Sequence, residues 1–186
     1  MRLFTARLAT ALTASLAIAG SASAQDWALD REASSVRAAI TVFNTPAEAR
    51  FTDFDAQITL DPDNLAEARI DAVVSTASGT MTTRDYQQAL LSGEGLAPSA
   101  HPQARFVSDD VRAVEGGYEA HGVLTIRDVE EPVVLAFTLE IDGGRAVAAG
   151  EFEVSRSAFG ITGSSWGAGN VGETVTVSLH IEADAR

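Results

Sequence analysis

The 186-residue chain has neither cysteine nor lysine: its 13 basic residues are all Arg, set against 26 Asp and Glu for a net charge of −13 at pH 7. Without Cys there are no disulfides, thiolate chemistry or zinc–sulfur sites, and without Lys there is no Walker-type phosphate loop, Schiff base or Ser-Lys hydrolase. So acidic a chain is also a poor partner for nucleic acid or an anionic membrane surface.

Arg2 and Arg7 open the chain, an uncharged and mostly apolar run follows over residues 8–19, and Ala22-Ser23-Ala24 supplies a small-x-small cleavage site. This pattern predicts a secretory signal peptide over residues 1–24, cut after Ala24. The apolar run is shorter than the roughly 20 residues that span a bilayer. Residues 25–186 are then expected to form one exported domain without a membrane anchor of its own, large enough for a substantial core.

Period-two alternation dominates that domain. Val36, Ala38, Ile40 and Val42 share one strand face, and Phe54, Ala56, Ile58 and Leu60 share the next, before a turn at Asp61-Pro62-Asp63-Asn64. Ile70, Ala72 and Val74 set a third strand, after which Gly79 and the threonines break the pattern. The period then turns helical: Thr82 is placed to cap, Tyr86 and Leu90 lie four apart on one face, and Gly93 and Gly95 terminate, predicting a helix over residues 83–91. Strands resume over 104–113, turn at Glu115-Gly116-Gly117 and return over 118–127. Val133, Leu135, Phe137, Leu139 and Ile141 alternate, Asp142-Gly143-Gly144 turns the chain into a strand over 146–155, and Val175, Val177, Leu179 and Ile181 mark the last strand.

About eight such strands joined mainly by short turns predict an all-β fold, an antiparallel eight-stranded barrel that closes on itself and carries one short α-helix as a lid or plug. A sandwich satisfies the same alternation; strand length and the lone helix favour the barrel. Parity nominates a wall of Ala38, Ile40, Val42, Phe54, Ile58, Ile70, Val74, Phe106, Leu124, Ile126, Val133, Leu135, Phe137, Leu139, Phe152, Phe159, Val175, Val177 and Leu179 around a dry interior. A bulge would invert any one strand's assignment.

Three constellations carry possible chemistry. Gly163-Ser164-Ser165-Trp166-Gly167 matches a nucleophile elbow, with Glu173 and His180 in the acid-then-His order of hydrolases. The elbow needs a strand before and a helix after, and here the flanks are Gly-rich loop and alternating strand, so the segment reads as a loop near the barrel mouth and no enzyme is expected. Asp53, Asp55, Asp61 and Asp63 suggest calcium, but counting from Asp61 puts Leu65 and Ala66 where the calcium loop needs an oxygen ligand and Gly. His101, His121 and His180 are too scattered for a metal pair, so no metal is expected.

Seven blocks in order then carry a resemblance. They are Trp27-Ala28-Leu29-Asp30 with Ser34-Ser35-Val36; Phe51-Thr52-Asp53-Phe54-Asp55; Arg84-Asp85; and His101-Pro102-Gln103-Ala104-Arg105-Phe106. There follow Gly122-Val123-Leu124-Thr125-Ile126-Arg127-Asp128-Val129 with Pro132-Val133; Arg156-Ser157-Ala158-Phe159-Gly160-Ile161; and Val171-Gly172-Glu173-Thr174-Val175. Together they resemble the YceI family of exported lipid-binding proteins. The resemblance implies a lipocalin-like barrel in the periplasm of a Gram-negative bacterium, binding a long polyisoprenoid of quinone or prenyl-phosphate type in its tunnel, with no catalytic residues and no cofactor beyond the lipid. It also suggests an inner-membrane cytochrome of the b type as a partner, since relatives occur beside or fused to such proteins. Arg84, Arg127 and Arg156, basic residues inside these blocks, are the candidates to meet a head group; the structural alternative, an ion pair, is the favoured role for each. A ligand-free envelope module that binds another protein is the alternative. The chain departs from the family pattern at Ala49-Arg50 and at Gly93-Glu94-Gly95-Leu96, both near the expected mouth.

Overall fold

Alternating segments become ten strands in a computed structural model that describes residues 25–163 and 169–186. They are β1 (Asp26–Val42), β2 (Thr45–Phe51), β3 (Phe54–Thr59), β4 (Arg69–Ser75), β5 (Gly79–Met81), β6 (Gln103–Val114), β7 (Gly117–Ile126), β8 (Val129–Asp142), β9 (Arg145–Ser155) and β10 (Thr174–Ala185). One α-helix, α1 (Arg84–Leu91), sits between β5 and β6, and two short 3-10 turns cover Leu65–Glu67 and Thr76–Ser78.

Ten strands make eight staves because two staves are bent. β2 and β3 both run antiparallel to β1, Phe51 opposite Val36 and Ile58 opposite Trp27, with only Thr52 and Asp53 between them. β4 pairs with β3 and β5 with β2 across the Thr76–Ser78 turn. From β6 onward each strand pairs with the next, and β10 returns to β1, closing an antiparallel up-and-down barrel of eight staves. Closure leaves the strands no free long edge. The register between β10 and β1 shifts between Asp30 and Ser35, a bulge of the kind that lets a long stave bend around the ring.

The turns follow from local chemistry. Gly143 and Gly144 take φ of 56° and 89° between β8 and β9, as the Asp-Gly-Gly signal requires. Two other hairpins hold non-glycine residues in the left-handed region, Phe43-Asn44 (φ 49° and 58°) and Arg127-Asp128 (53° and 61°). Paired left-handed residues suit the twist of a two-residue hairpin, at an energetic cost for side chains with a Cβ.

The two barrel ends differ. At one, Trp27, Leu60, Ala68, Val111, Ala120, Ala146 and Ala183 are buried together, and Trp27 Nε1 donates to the Leu60 carbonyl at 2.8 Å. The other carries α1, the β1–β2 and β7–β8 turns and the described parts of the connection from β9 to β10, residues 156–163 and 169–173. There, among the described residues, β5 has no strand on its outer side, and the Gln87 side chain of α1 takes that place, accepting from Met81 N at 2.6 Å and donating to Gly79 O at 2.7 Å. The helix begins one residue later than Thr82 would set it: Thr83 is the N-cap, and its side chain makes no capping bond.

Candidate functional site

Inside the staves lies a cavity of about 370 Å³, within the range of about 300–1,000 Å³ usual for ligand pockets. Its wall is almost wholly hydrocarbon, because the alternating strands turn Val, Ile, Leu, Phe and Ala inward. The cavity extends between the Trp27 end and the helix end: on β10 alone, Val175, Val177, Leu179, Ile181 and Ala183 all border it. The eight residue-to-residue steps from Val175 to Ala183 correspond to about 26 Å along the chain, or about 20 Å along the axis of a tilted barrel.

Every residue nominated for the wall borders this cavity except Val133. Val133 points inward, opposite Gly122 on β7, but the Phe106 ring lies where a Cβ on Gly122 would be, 2.7 Å from its Cε2. Val133 therefore packs into the buried cluster with Phe106 and does not reach the hollow. Alternation specifies the face but not which neighbour's ring covers it.

The wall also contains residues that were not nominated. Val36 and Ile181 extend strands already recognised, and Ala49 and Phe51 belong to β2, whose inward set of Ala47, Ala49 and Phe51 gives a weak apolar signal beside Pro46, Glu48 and Arg50. Tyr86, Ala89 and Leu90 come from α1, which presents to the cavity the face that the Tyr86–Leu90 spacing marks out. Gly79 lets the helix close down: a Cβ there would meet Leu90 Cδ2 and Phe51 Cε1 at 2.9 Å. The departures at Ala49 and at Glu94-Gly95-Leu96 both fall on the cavity border.

The three candidate arginines are not brought together. Arg84 is exposed on the first turn of α1, about 200° around the helix from Tyr86, and so lies away from the hollow. Arg127 donates from Nη1 to the carbonyls of Gly95 (2.8 Å) and Gly160 (3.1 Å), tying the segment after α1 to the β9–β10 connection. Arg156 borders the cavity but donates from Nε to Gly172 O (2.8 Å), from Nη1 to Ile161 O (2.7 Å) and Thr162 O (2.5 Å), and from Nη2 to Val171 O (3.2 Å), with Glu173 3.6 Å away. It is the internal brace of its loop. Asp55 and Arg105, also at the cavity border, form outward ion pairs with Arg31 and Asp71.

Of the hydrolase constellation, Ser164, Ser165, Trp166 and Gly167 lie outside the described residues. Glu173 accepts from the hydroxyls of Ser155 and Ser157 and from the Ser157 N–H at 3.1 Å, which together hold its carboxyl down to about 2. His180 Nε2 lies 3.1 Å from Glu182, so each is engaged away from the other. Asp61 Oδ1 accepts from Asp63 N at 2.9 Å in a turn. Among the described residues no three His, Asp or Glu gather as a metal site.

A closed antiparallel barrel around an elongated apolar cavity, with a helix laid across one end, defines a lipocalin-like class of fold. Within that class, the sequence profile of the YceI-like domain matches residues 27–183; the chain belongs to the YceI family. It is 30% identical over 128 residues to a UPF0312 protein of Yersinia enterocolitica, covering 67% of each chain, and 30% identical over 139 residues to one of Yersinia pestis, covering 73% of this chain and 72% of that one. The solved structure of BcnA from Burkholderia cenocepacia is similar with a TM-score of 0.79 at 27% identity, over 83% of this chain and 99% of that one. A polyisoprenoid binding domain from Saccharophagus degradans, implicated in plant cell wall breakdown, has a TM-score of 0.67 at 12% identity over 88% of this chain and 99% of that one, a likeness of fold alone.

Proposed function

We propose that the protein is a periplasmic carrier that holds the tail of one long-chain polyisoprenoid, of quinone or prenyl-phosphate type, inside the barrel. The observation that carries this reading is the length and dryness of the cavity: hydrocarbon lines it from Trp27 to Leu90. Each methylene moved from water into such a lining contributes about 0.8 kcal/mol. A bilayer shelters the same tail equally well, so selectivity rests on tunnel shape and on the contacts of the head. Residues 1–24 are the proposed export signal, and the resemblance of the blocks supports an inner-membrane b-type cytochrome as a delivery partner. Membership of the YceI family and the likeness of fold to the Saccharophagus polyisoprenoid binding domain support binding rather than catalysis.

The test is solvent extraction of the purified protein followed by mass spectrometry of the lipid, alongside the Ala148→Phe variant, which places a ring in the hollow between Leu139 and Ile181. The expected result is about one prenyl lipid per chain in the parent and a loss of at least tenfold in the variant. Recovery of no prenyl lipid, from native protein and from protein refolded in its presence, would leave the ligand-free partner-binding module as the better reading.

A further inference from the structure

We infer that the β1–β2 hairpin, with Phe43 at its tip, is the face by which the barrel docks on a zwitterionic lipid bilayer; the purpose of the docking, passage of a prenyl tail, rests on the carrier reading above. Phe43 is 50% exposed, the largest exposed fraction of any large hydrophobic side chain among the described residues. It holds that exposure on a left-handed backbone, φ 49°, which Asn or Gly adopts at lower cost than a bulky aromatic. Turn chemistry and water both favour a small polar residue at such a tip. An aromatic standing there against both preferences marks a surface with something to meet outside the fold.

The surroundings of the tip decide what that is. Residues 38–47 carry no charged side chain, nor do residues 157–172, in a chain of which 21% is charged. The fold lays the described parts of these two stretches side by side: Phe43 N donates to Asn170 O at 2.7 Å, Gly172 N donates to Thr41 O at 2.7 Å, and Val42 pairs with Val171. Elsewhere at this end charge returns, with Arg84, Asp85 and Glu94 on and after α1 and Arg127 and Asp128 in the β7–β8 turn. At the opposite end Asp61, Asp63, Glu67, Glu115, Asp142 and Asp184 lie in or beside the loops and the last strand end. A bilayer met at the hairpin therefore desolvates no carboxylate, while these acids stay in water. An uncharged sector gives a protein partner no ion pair to set register, whereas a lipid interface asks only for apolar area.

The same sector borders the hollow. Ile40 and Val42 of β1, and Ile161, Gly163 and Val171 of the β9–β10 connection, all line it. A tail that leaves beside Phe43 passes from protein hydrocarbon to lipid hydrocarbon without crossing a charged rim or open water. One aromatic side chain anchors weakly, which suits a contact that is broken after each delivery.

The experiment compares the purified protein with its Phe43→Asn variant on vesicles of phosphatidylcholine and phosphatidylethanolamine. It reads co-flotation with the vesicles, the rate at which bound ubiquinone passes to them, and the prenyl lipid extracted before mixing. Asn suits the left-handed turn, so the variant is expected to unfold at the same or a higher temperature and to hold as much lipid, while co-flotation and transfer rate each fall at least fivefold. Ile141→Asn, at a side chain 43% exposed at the opposite end, is expected to change neither. Adding phosphatidylglycerol is expected to weaken the parent's binding, most at low salt, because the chain carries a net charge of −13. Co-flotation that survives Phe43→Asn, that falls as far in Ile141→Asn, or that strengthens with phosphatidylglycerol overturns the inference. So does transfer that proceeds only with a membrane protein reconstituted in the vesicles. Extracted prenyl lipid without vesicle binding removes the docking and leaves the carrier reading; Phe43-dependent vesicle binding by a protein that yields no prenyl lipid does the reverse.

Discussion

Gly95 and Phe159 set how tightly the helix end of the barrel is packed. A Cβ on Gly95 would sit 2.3 Å from the carbonyl oxygens of both Ala89 and Leu90, so Gly95→Ala forces backbone to move and is expected to destabilise by about 1–3 kcal/mol, checked by urea unfolding. Phe159 is 1% exposed and borders the cavity. Phe159→Ala is expected to cost about 3–5 kcal/mol and to lower lipid retention, read from the same unfolding curves and from the extracted lipid. Arg127 and Arg156 teach the opposite lesson about legibility. Their place in the sequence blocks marks them as important, but nothing in a linear pattern distinguishes an arginine aimed at a ligand from one whose donors end on carbonyls of a distant loop.

At the scale of elements, α1 closes one end of the hollow. Its side chain Gln87 completes the outer edge of β5 through Met81 N and Gly79 O, so Gln87→Ala leaves a donor and an acceptor unmet, a cost of about 1–3 kcal/mol. The expected outcome is local: amide exchange at Met81 accelerates at least tenfold and bound lipid transfers to vesicles several-fold faster, while β8 and β9 keep their protection. Unchanged exchange at Met81 would show that the helix is held by its apolar face alone. The helix itself is legible because its period changes abruptly from two to about four. β2 is not, since Ala47 and Ala49 carry too little hydrophobic contrast. The bent staves β2/β3 and β4/β5 are legible only as fragments, because the bend is a property of ring closure that no local window contains.

For the whole molecule, charge governs the response to acid. Hydrogen bonds from Arg145 hold Asp30 and Glu182 below the ordinary carboxylate range, those from Arg105 and Arg112 do the same for Asp71 and Asp110, and the hydroxyls of Ser155 and Ser157 bring Glu173 to about 2. Each group binds a proton more readily once unfolded, so its contribution is complete above about pH 4.5 and is lost as the pH falls through the lower folded values. Thermal unfolding at physiological salt is expected to hold its midpoint between about pH 5 and 7 and to drop steeply from about pH 4 toward 2. Relief of repulsion in so acidic a chain acts the other way. A midpoint that rises on acidification would mean that this relief outweighs the paired carboxylates.

Fold class and the apolar wall were readable at this scale because strand parity is a two-state signal repeated along the chain. The make-up of the helix end was not, because it depends on side chains from α1, the segment after it and the residues around Arg156, which meet only once the ring has closed. The central claim is that this ring encloses one prenyl tail, and a crystal structure of the protein saturated with a long-chain ubiquinone tests it most directly. Continuous density is expected along the hollow from beside Trp27 to beside Tyr86. A tail found on the outer surface, or an interior closed by its own side chains, would contradict it.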